Sequence, residues 1–224
     1  MIEQEIKVYT KSKKLKNPTL QKPSVAIFVG ATGTGKTNWM LNYLTALQDA
    51  NDFQRALFVS SNKVDPMLDN LGEDVKITND PDELNEFIKE IKQTPKNLIS
   101  ELPSIIVFDD CQESPIIKIK NNSLLNQFVL SHRHYNTWLV FCVQTLRNSV
   151  SAAIRKMSSL MFAFPPRNDM EMKTLLEDIP VNKDKLKVAF DLVKAEQHTP
   201  LYINMQEAKP RLYKGFQDEI KDFS

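Results

Sequence analysis

The sequence has little glycine and little cysteine, 5 and 2 residues among 224. Two thiols, Cys111 and Cys142, both within or beside apolar runs, exclude a disulfide-built scaffold and point to a reducing compartment. Long apolar runs are missing as well. The longest uncharged one, residues 135–143, is about half of what a membrane span requires. Residues 1–23 hold no apolar segment of the kind a secretory leader carries, so the expectation is a soluble intracellular protein. Charge of one sign is also lacking: 29 Lys and Arg oppose 28 Asp and Glu, for a net +1. Any contact with nucleic acid must then come from a local patch, because no global field supplies it. The 3 histidines, His132, His134 and His198, lack the spacing to thiol or acidic partners that a protein-built transition-metal site needs. Internal repeats and low-complexity tracts are absent.

What glycine there is, is concentrated. Gly30, Gly33 and Gly35 fall in the stretch FVGATGTGKTNWM, where Gly30-Ala31-Thr32-Gly33-Thr34-Gly35-Lys36-Thr37 fits the phosphate-loop pattern G-x-x-x-x-G-K-[ST]. A short β-rich apolar run (residues 24–29) precedes it, and residues 38–48 follow with helical spacing at Trp39, Met40, Tyr43, Leu44 and Leu47. Strand, glycine loop and helix are what the chemistry needs. Glycine lets backbone N–H groups turn inward around phosphates, and the helix start aims its unpaired N–H groups at the same anion. Lys36 is expected on the β- and γ-phosphates of ATP and the Thr37 hydroxyl on Mg²⁺.

Further apolar runs at residues 55–60, 104–109, 137–143 and 160–164 read as strands. They alternate with helical patterns at 82–92, 123–135 and 151–159. Such alternation predicts an α/β fold, a mainly parallel sheet covered on both faces. Residues 1–23 carry 6 lysines against 2 glutamates, clustered as KSKKLK at 11–16, and read as a basic arm. Residues 24–166 read as the core. Residues 167–224 change character, with two helical patterns (169–179, 184–195) before strand-like runs at 201–205 and 211–216, and read as a C-terminal extension packed on that core.

The run Ile105-Ile106-Val107-Phe108-Asp109-Asp110 is a buried strand ending in two carboxylates. Asp109 is expected to anchor Mg²⁺ together with Thr37, and Asp110 to act as general base on the attacking water. Asn62-Lys63-Val64-Asp65 matches the guanine-reading pattern N-K-x-D. It precedes the acidic strand, where guanine readers place it after, and neither Asp109 nor Asp110 opens a D-x-x-G switch, since Gln112 and Glu113 stand where the glycine would be, so it reads as a polar loop. Gln144, at the tip of a later apolar strand, is placed to hold water or sense the γ-phosphate. Arg133, at the other end of that strand, is a candidate finger toward a neighbouring subunit's nucleotide, with Arg155 a second candidate.

Phosphate loop, Asp-Asp strand, Arg-His, apolar strand, Gln and a later Ile-Arg together resemble the FtsK–HerA superfamily of ring ATPases. Within it the likeness is to the genome-packaging ATPases of poxviruses, other large DNA viruses and virophages, over residues 24–164. The resemblance implies a P-loop NTPase three-layer sandwich with sheet order 5-1-4-3-2 and a homo-oligomeric ring, pentamer or hexamer. It further implies ATP hydrolysis driving double-stranded DNA into a preformed capsid. It implies capsid or inner-membrane vertex components as partners, and the host cytoplasm, viral factory or virion as location. Asp110 departs from the glutamate many relatives carry, which makes the base one methylene shorter. Lys118 and Lys120 lie where a loop could reach DNA phosphates. The competing readings are a conjugation or chromosome pump of the same superfamily, a small-molecule or nucleoside kinase, and a non-catalytic nucleotide-gated scaffold.

Overall fold

The computed structural model describes residues 18–60, 75–111, 124–216 and 218–220. The basic run at 11–16, the N-K-x-D segment at 62–65, Lys118 and Lys120 lie outside the described residues.

The fold is built outward from β1 (Val25–Val29), which is buried along its whole length. Its neighbours on either side are β5 (Thr137–Val143) and β6 (Leu160–Ala163), both parallel to it. β4 (Ser104–Asp109) lies beyond β5 and β2 (Arg55–Ser60) beyond β4. These are the five strands read from the sequence, standing in the expected order 5-1-4-3-2. The sheet continues past them at both ends. β3 (Lys76–Thr78) adds a parallel edge next to β2. Beyond β6, the strands β7 (Leu201–Asn204), β8 (Arg211–Lys214) and β9 (Asp218–Glu219) run antiparallel, for nine strands in all among the described residues. A three-residue strand such as β3 has too short a pattern to be read from sequence.

Alternation along β1 assigns the two faces. Ala26 and Phe28 pack with Met40, Tyr43, Leu44 and Leu47 of α1 (Lys36–Ala50). Val25, Ile27 and Val29 face the other helical layer. That layer comprises α2 (Pro81–Lys92), α3 (Leu124–Ser131), α5 (Ala152–Met157), α6 (Asp169–Asp178) and α7 (Lys183–Lys194), with the single-turn α4 (Leu146–Ser149) between β5 and α5. Both sides of each central strand are thereby dry, which explains why those strands read as unbroken apolar runs. α2 shows how local chemistry sets a boundary. The Asp80 carboxylate accepts from the Asp82 N–H at 2.9 Å, Pro81 opens the first turn, and Lys89 and Lys92 sit in the last. The helix expected over 123–135 is α3 followed by a 3-10 turn, His132–Tyr135, because Asn136 takes a left-handed conformation (φ 48°) that ends it.

A row of rings ties the C-terminal strands to the centre. Phe28, Phe162, Tyr202 and Tyr213 stack in sequence across β1, β6, β7 and β8, with centroids 4.2, 4.6 and 5.2 Å apart. Burying a ring of this size contributes about 1.5–3 kcal/mol. β7, β8 and β9 are therefore continuous with the core sheet. Among the described residues no helix is long and apolar enough to cross a membrane.

Candidate nucleotide site

Parallel strands place their C-terminal ends on one edge of the sheet, and that edge collects most of the residues singled out by sequence. β1 ends at Val29, and the Gly30 N–H extends its ladder by donating to Val143 O at 3.2 Å. A Cβ on Gly30 would stand 2.6 Å from Phe164 Cβ, so the loop can leave the strand here only as glycine. At the far end of the loop Gly35 adopts φ 91°, a left-handed conformation that side chains disfavour. It is the N-cap of α1 and offers no side-chain cap, which leaves the first N–H groups of that helix for an anion.

Between these glycines the loop is held by its own carbonyls. Ala31 O accepts the Thr34 hydroxyl at 2.8 Å and the Lys36 ammonium at 2.8 Å. Burial pushes the Lys36 pKa below the usual lysine value. Asp109 and Asp110 act against that shift and Arg167 adds to it. A phosphate arriving here would replace a desolvated carbonyl contact with a full counter-charge.

Two strand tips face the loop. Asp109 closes β4, 8% exposed, with Cys142 of β5 as its register partner. Cys142 also meets Thr37. Burial and then the Asp109 carboxylate push its thiol well above the ordinary value, so it stays protonated as a hydrogen-bond partner of Asp109. Asp110 follows at φ 49°, a turn that short polar residues tolerate, and lies at the surface. The Gln144 carboxamide, one residue past β5, donates to Asp110 Oδ1 at 3.4 Å. Lys36, Thr37, Asp109, Asp110 and Gln144 thus converge, with Gly30 to Gly35 around them. A cavity of about 370 Å³ opens beside Gly30 and Gln144, lined also by Arg147, Asn168 and Lys173. Oxygen donors from Thr37 and Asp109 suit Mg²⁺, which keeps water and phosphate oxygens as further ligands. Among the described residues no cluster of three His, Cys, Asp or Glu side chains is arranged for a metal.

The two candidate finger arginines lie elsewhere. Arg133 is exposed in the 3-10 turn that enters β5. The seven residues of that strand separate it from Gln144 by ~23 Å, beyond reach of its own loop. Arg155 is engaged within its chain: Nε lies 3.1 Å from Asp178 Oδ2, and Nη1 donates to Val150 O at 2.9 Å.

Sequence reasoning missed three residues at this edge. Arg167, just past β6, donates from Nη2 to Thr32 O at 2.8 Å. His198 carries its ring against Gly35: a Cβ there would meet His198 Cβ at 3.4 Å. His198 itself has φ 62°, and its carbonyl accepts the Trp39 indole N–H at 2.7 Å. Cys142 is the third. Cys142 was visible as a register partner once β4 and β5 were paired. Arg167 and His198 reach the loop across more than a hundred residues and leave no local signal.

Fold and site together define a P-loop NTPase, and solved structures share the architecture. The genome packaging NTPase B204 from Sulfolobus turreted icosahedral virus 2, in complex with ATP-gammaS, superposes with a TM-score of 0.63 at 14% identity, covering 87% of this chain and 98% of that one. EssC (ATPases 2 and 3) from Geobacillus thermodenitrificans gives 0.59 at 13%, over 89% of this chain and 41% of that one. The pCW3 conjugation coupling protein TcpA gives 0.58 at 13%, over 88% and 61%. Among curated protein sequences none matches. The Poxvirus A32 protein family matches residues 11–207, and the chain belongs to that family. The likeness to FtsK–HerA superfamily ATPases, read from the ordered motifs, holds with it.

Proposed function

We propose that the protein is an ATP-hydrolysing motor that packages viral double-stranded DNA into a preformed capsid. The observation that carries the reading is the convergence, on one sheet edge, of a phosphate loop with Lys36 and an acidic strand end whose Asp110 is bonded to Gln144 at 3.4 Å. Lys36 and the N–H groups of Gly33 to Thr37 take the triphosphate. Thr37 and Asp109 would hold Mg²⁺, which supplies charge neutralisation on the β- and γ-oxygens. Gln144 orients a water against Asp110. The carboxylate takes the water's proton as its oxygen bonds to the γ-phosphorus, and the bond to the bridging oxygen of ADP breaks. Family membership and the packaging neighbour favour genome packaging as the use of this energy. Residues 24–166 serve as the motor core in this reading. Residues 167–224 form an extension of it, and Lys118 and Lys120, with the basic arm 1–23, are candidates for DNA phosphate contact.

Long duplex DNA should raise the ATPase rate severalfold at low salt, and the stimulation should fade steeply as salt rises, since phosphate contacts release counterions. A rate indifferent to duplex DNA at every ionic strength would sink the translocase reading. A ring would give a role to Arg133, which is exposed and too far from its own loop to serve it. Rings mixing Arg133→Ala subunits with Lys36→Ala subunits should recover turnover that neither variant shows alone, because an intact loop then meets an intact arginine across the interface. A mixture as inactive as its components would remove Arg133 from a neighbour's site.

A further inference from the structure

We propose that Arg167 is a second phosphate-binding cation of this same loop, acting within its own chain, and that it distinguishes ATP from ADP by contacting the terminal phosphate. The proposal rests on the nucleotide reading above and adds to it a residue outside the phosphate-loop motif.

Lys36 and Arg167 hold adjacent carbonyls, Ala31 O and Thr32 O, both at 2.8 Å. Each is a cation resting on a neutral acceptor. Among the described residues no carboxylate forms an ion pair with the Arg167 guanidinium: Glu171, its nearest acid in sequence, bonds the Arg167 backbone N–H at 3.0 Å. That bond belongs to a reciprocal cap at the start of α6, where Asn168 Oδ1 accepts the Glu171 N–H at 2.9 Å. Pro165 and Pro166 fix the chain immediately before. The backbone of Arg167 is thus held from both sides, while its side chain is exposed and spans 135 positions of sequence to reach the loop. An exposed side chain that long loses considerable rotamer freedom when ordered on a single carbonyl, so its placement calls for a stronger acceptor.

Position along the loop identifies that acceptor. The start of α1 takes the phosphates nearest the nucleoside. Thr32 lies at the other end of the loop, two residues after the Gly30 N–H joins β5 at Val143 O. Gln144 and Asp110, the pair assigned to water, stand at that same strand tip. This is the end of the loop that a third phosphate would occupy and a diphosphate would leave empty. A planar guanidinium already within bonding distance of Thr32 O needs only a side-chain rotation to donate to γ-oxygens.

The test compares equilibrium affinities for ATP-gammaS and ADP, each with Mg²⁺. Arg167→Ala should weaken ATP-gammaS by roughly tenfold or more, the worth of a charge-assisted bond, and leave ADP within about twofold. Arg167→Lys keeps the charge and should retain most of the discrimination. Arg167→Gln keeps a donor for Thr32 O without the charge and should lose it. Equal losses for both nucleotides, or none, would overturn the proposal and leave Arg167 as a brace of the loop. Lys36→Ala separates the two readings: it should weaken both nucleotides, and if it weakens neither, the loop itself is not the nucleotide site. Melting curves of each variant establish that the fold is retained.

Discussion

Lys36→Ala should abolish ATP turnover, with at least a hundredfold fall in kcat/KM, and should do so without unfolding the protein. The sign of its stability effect follows from the ammonium's surroundings. Burial lowers the Lys36 pKa, which means the charged form is less favourable in the folded chain than in the unfolded one. At neutral pH the group therefore detracts from the stability of the nucleotide-free protein, and that penalty disappears only as pH rises past the ordinary lysine value. Removing it leaves Ala31 O with the Thr34 hydroxyl as donor. The nucleotide-free melting temperature should stay level or rise, while the increase on adding ATP-gammaS should vanish. A variant that still hydrolyses ATP would take the loop out of the mechanism. One that melts several degrees lower without nucleotide would show that Lys36 braces the fold.

Asp110→Asn separates chemistry from binding. Removing a general base slows a reaction by about 10²–10⁴, so kcat should fall within that range. Nucleotide affinity should stay within a few fold, because the role proposed for Asp110 is toward the water and not toward the phosphates. The substitution is mild for the backbone. Asp110 sits at φ 49°, a conformation asparagine adopts at least as readily as aspartate, and a carboxamide oxygen still accepts from Gln144. Single-turnover rates read beside ATP-gammaS affinity make the check. A fall in affinity matching the fall in rate would place Asp110 among the binding groups.

The readability of this protein from sequence tracks the range of the interactions involved. The five central strands announced themselves because both faces of each are buried, which removes polar residues from an entire run. Their order followed from family likeness, and it holds in a sheet that extends further than expected on both sides. The loop was legible because every constraint on it is local: Gly30 against Phe164, Gly35 at positive φ, and the helix start are all encoded within a dozen residues or by the adjoining strand. Asp109, Asp110 and Gln144 were legible as strand ends, since parallel strands bring such ends to one edge. Arg155 could not be judged that way. Its ion pair with Asp178 joins two helices whose sequences give no sign of each other. Arg167 and His198 stayed hidden for the same reason, and β3 because three residues carry no period.

The place of β1 in the sheet has a consequence for how the protein is made. Residues 25–29 emerge first, yet both their partners, 137–143 and 160–163, lie more than a hundred positions later. At ordinary synthesis rates the gap between making β1 and making β6 is on the order of ten seconds. For most of that interval VAIFV has neither partner strand, and the glycine loop behind it has no Val143 carbonyl or Phe164 ring to set its path. Nucleotide can therefore be gripped only after three-quarters of the chain exists. Topologies with such distant pairings fold slowly, so the nascent chain passes through a stage in which an apolar segment is exposed and nucleotide cannot yet bind to steady it.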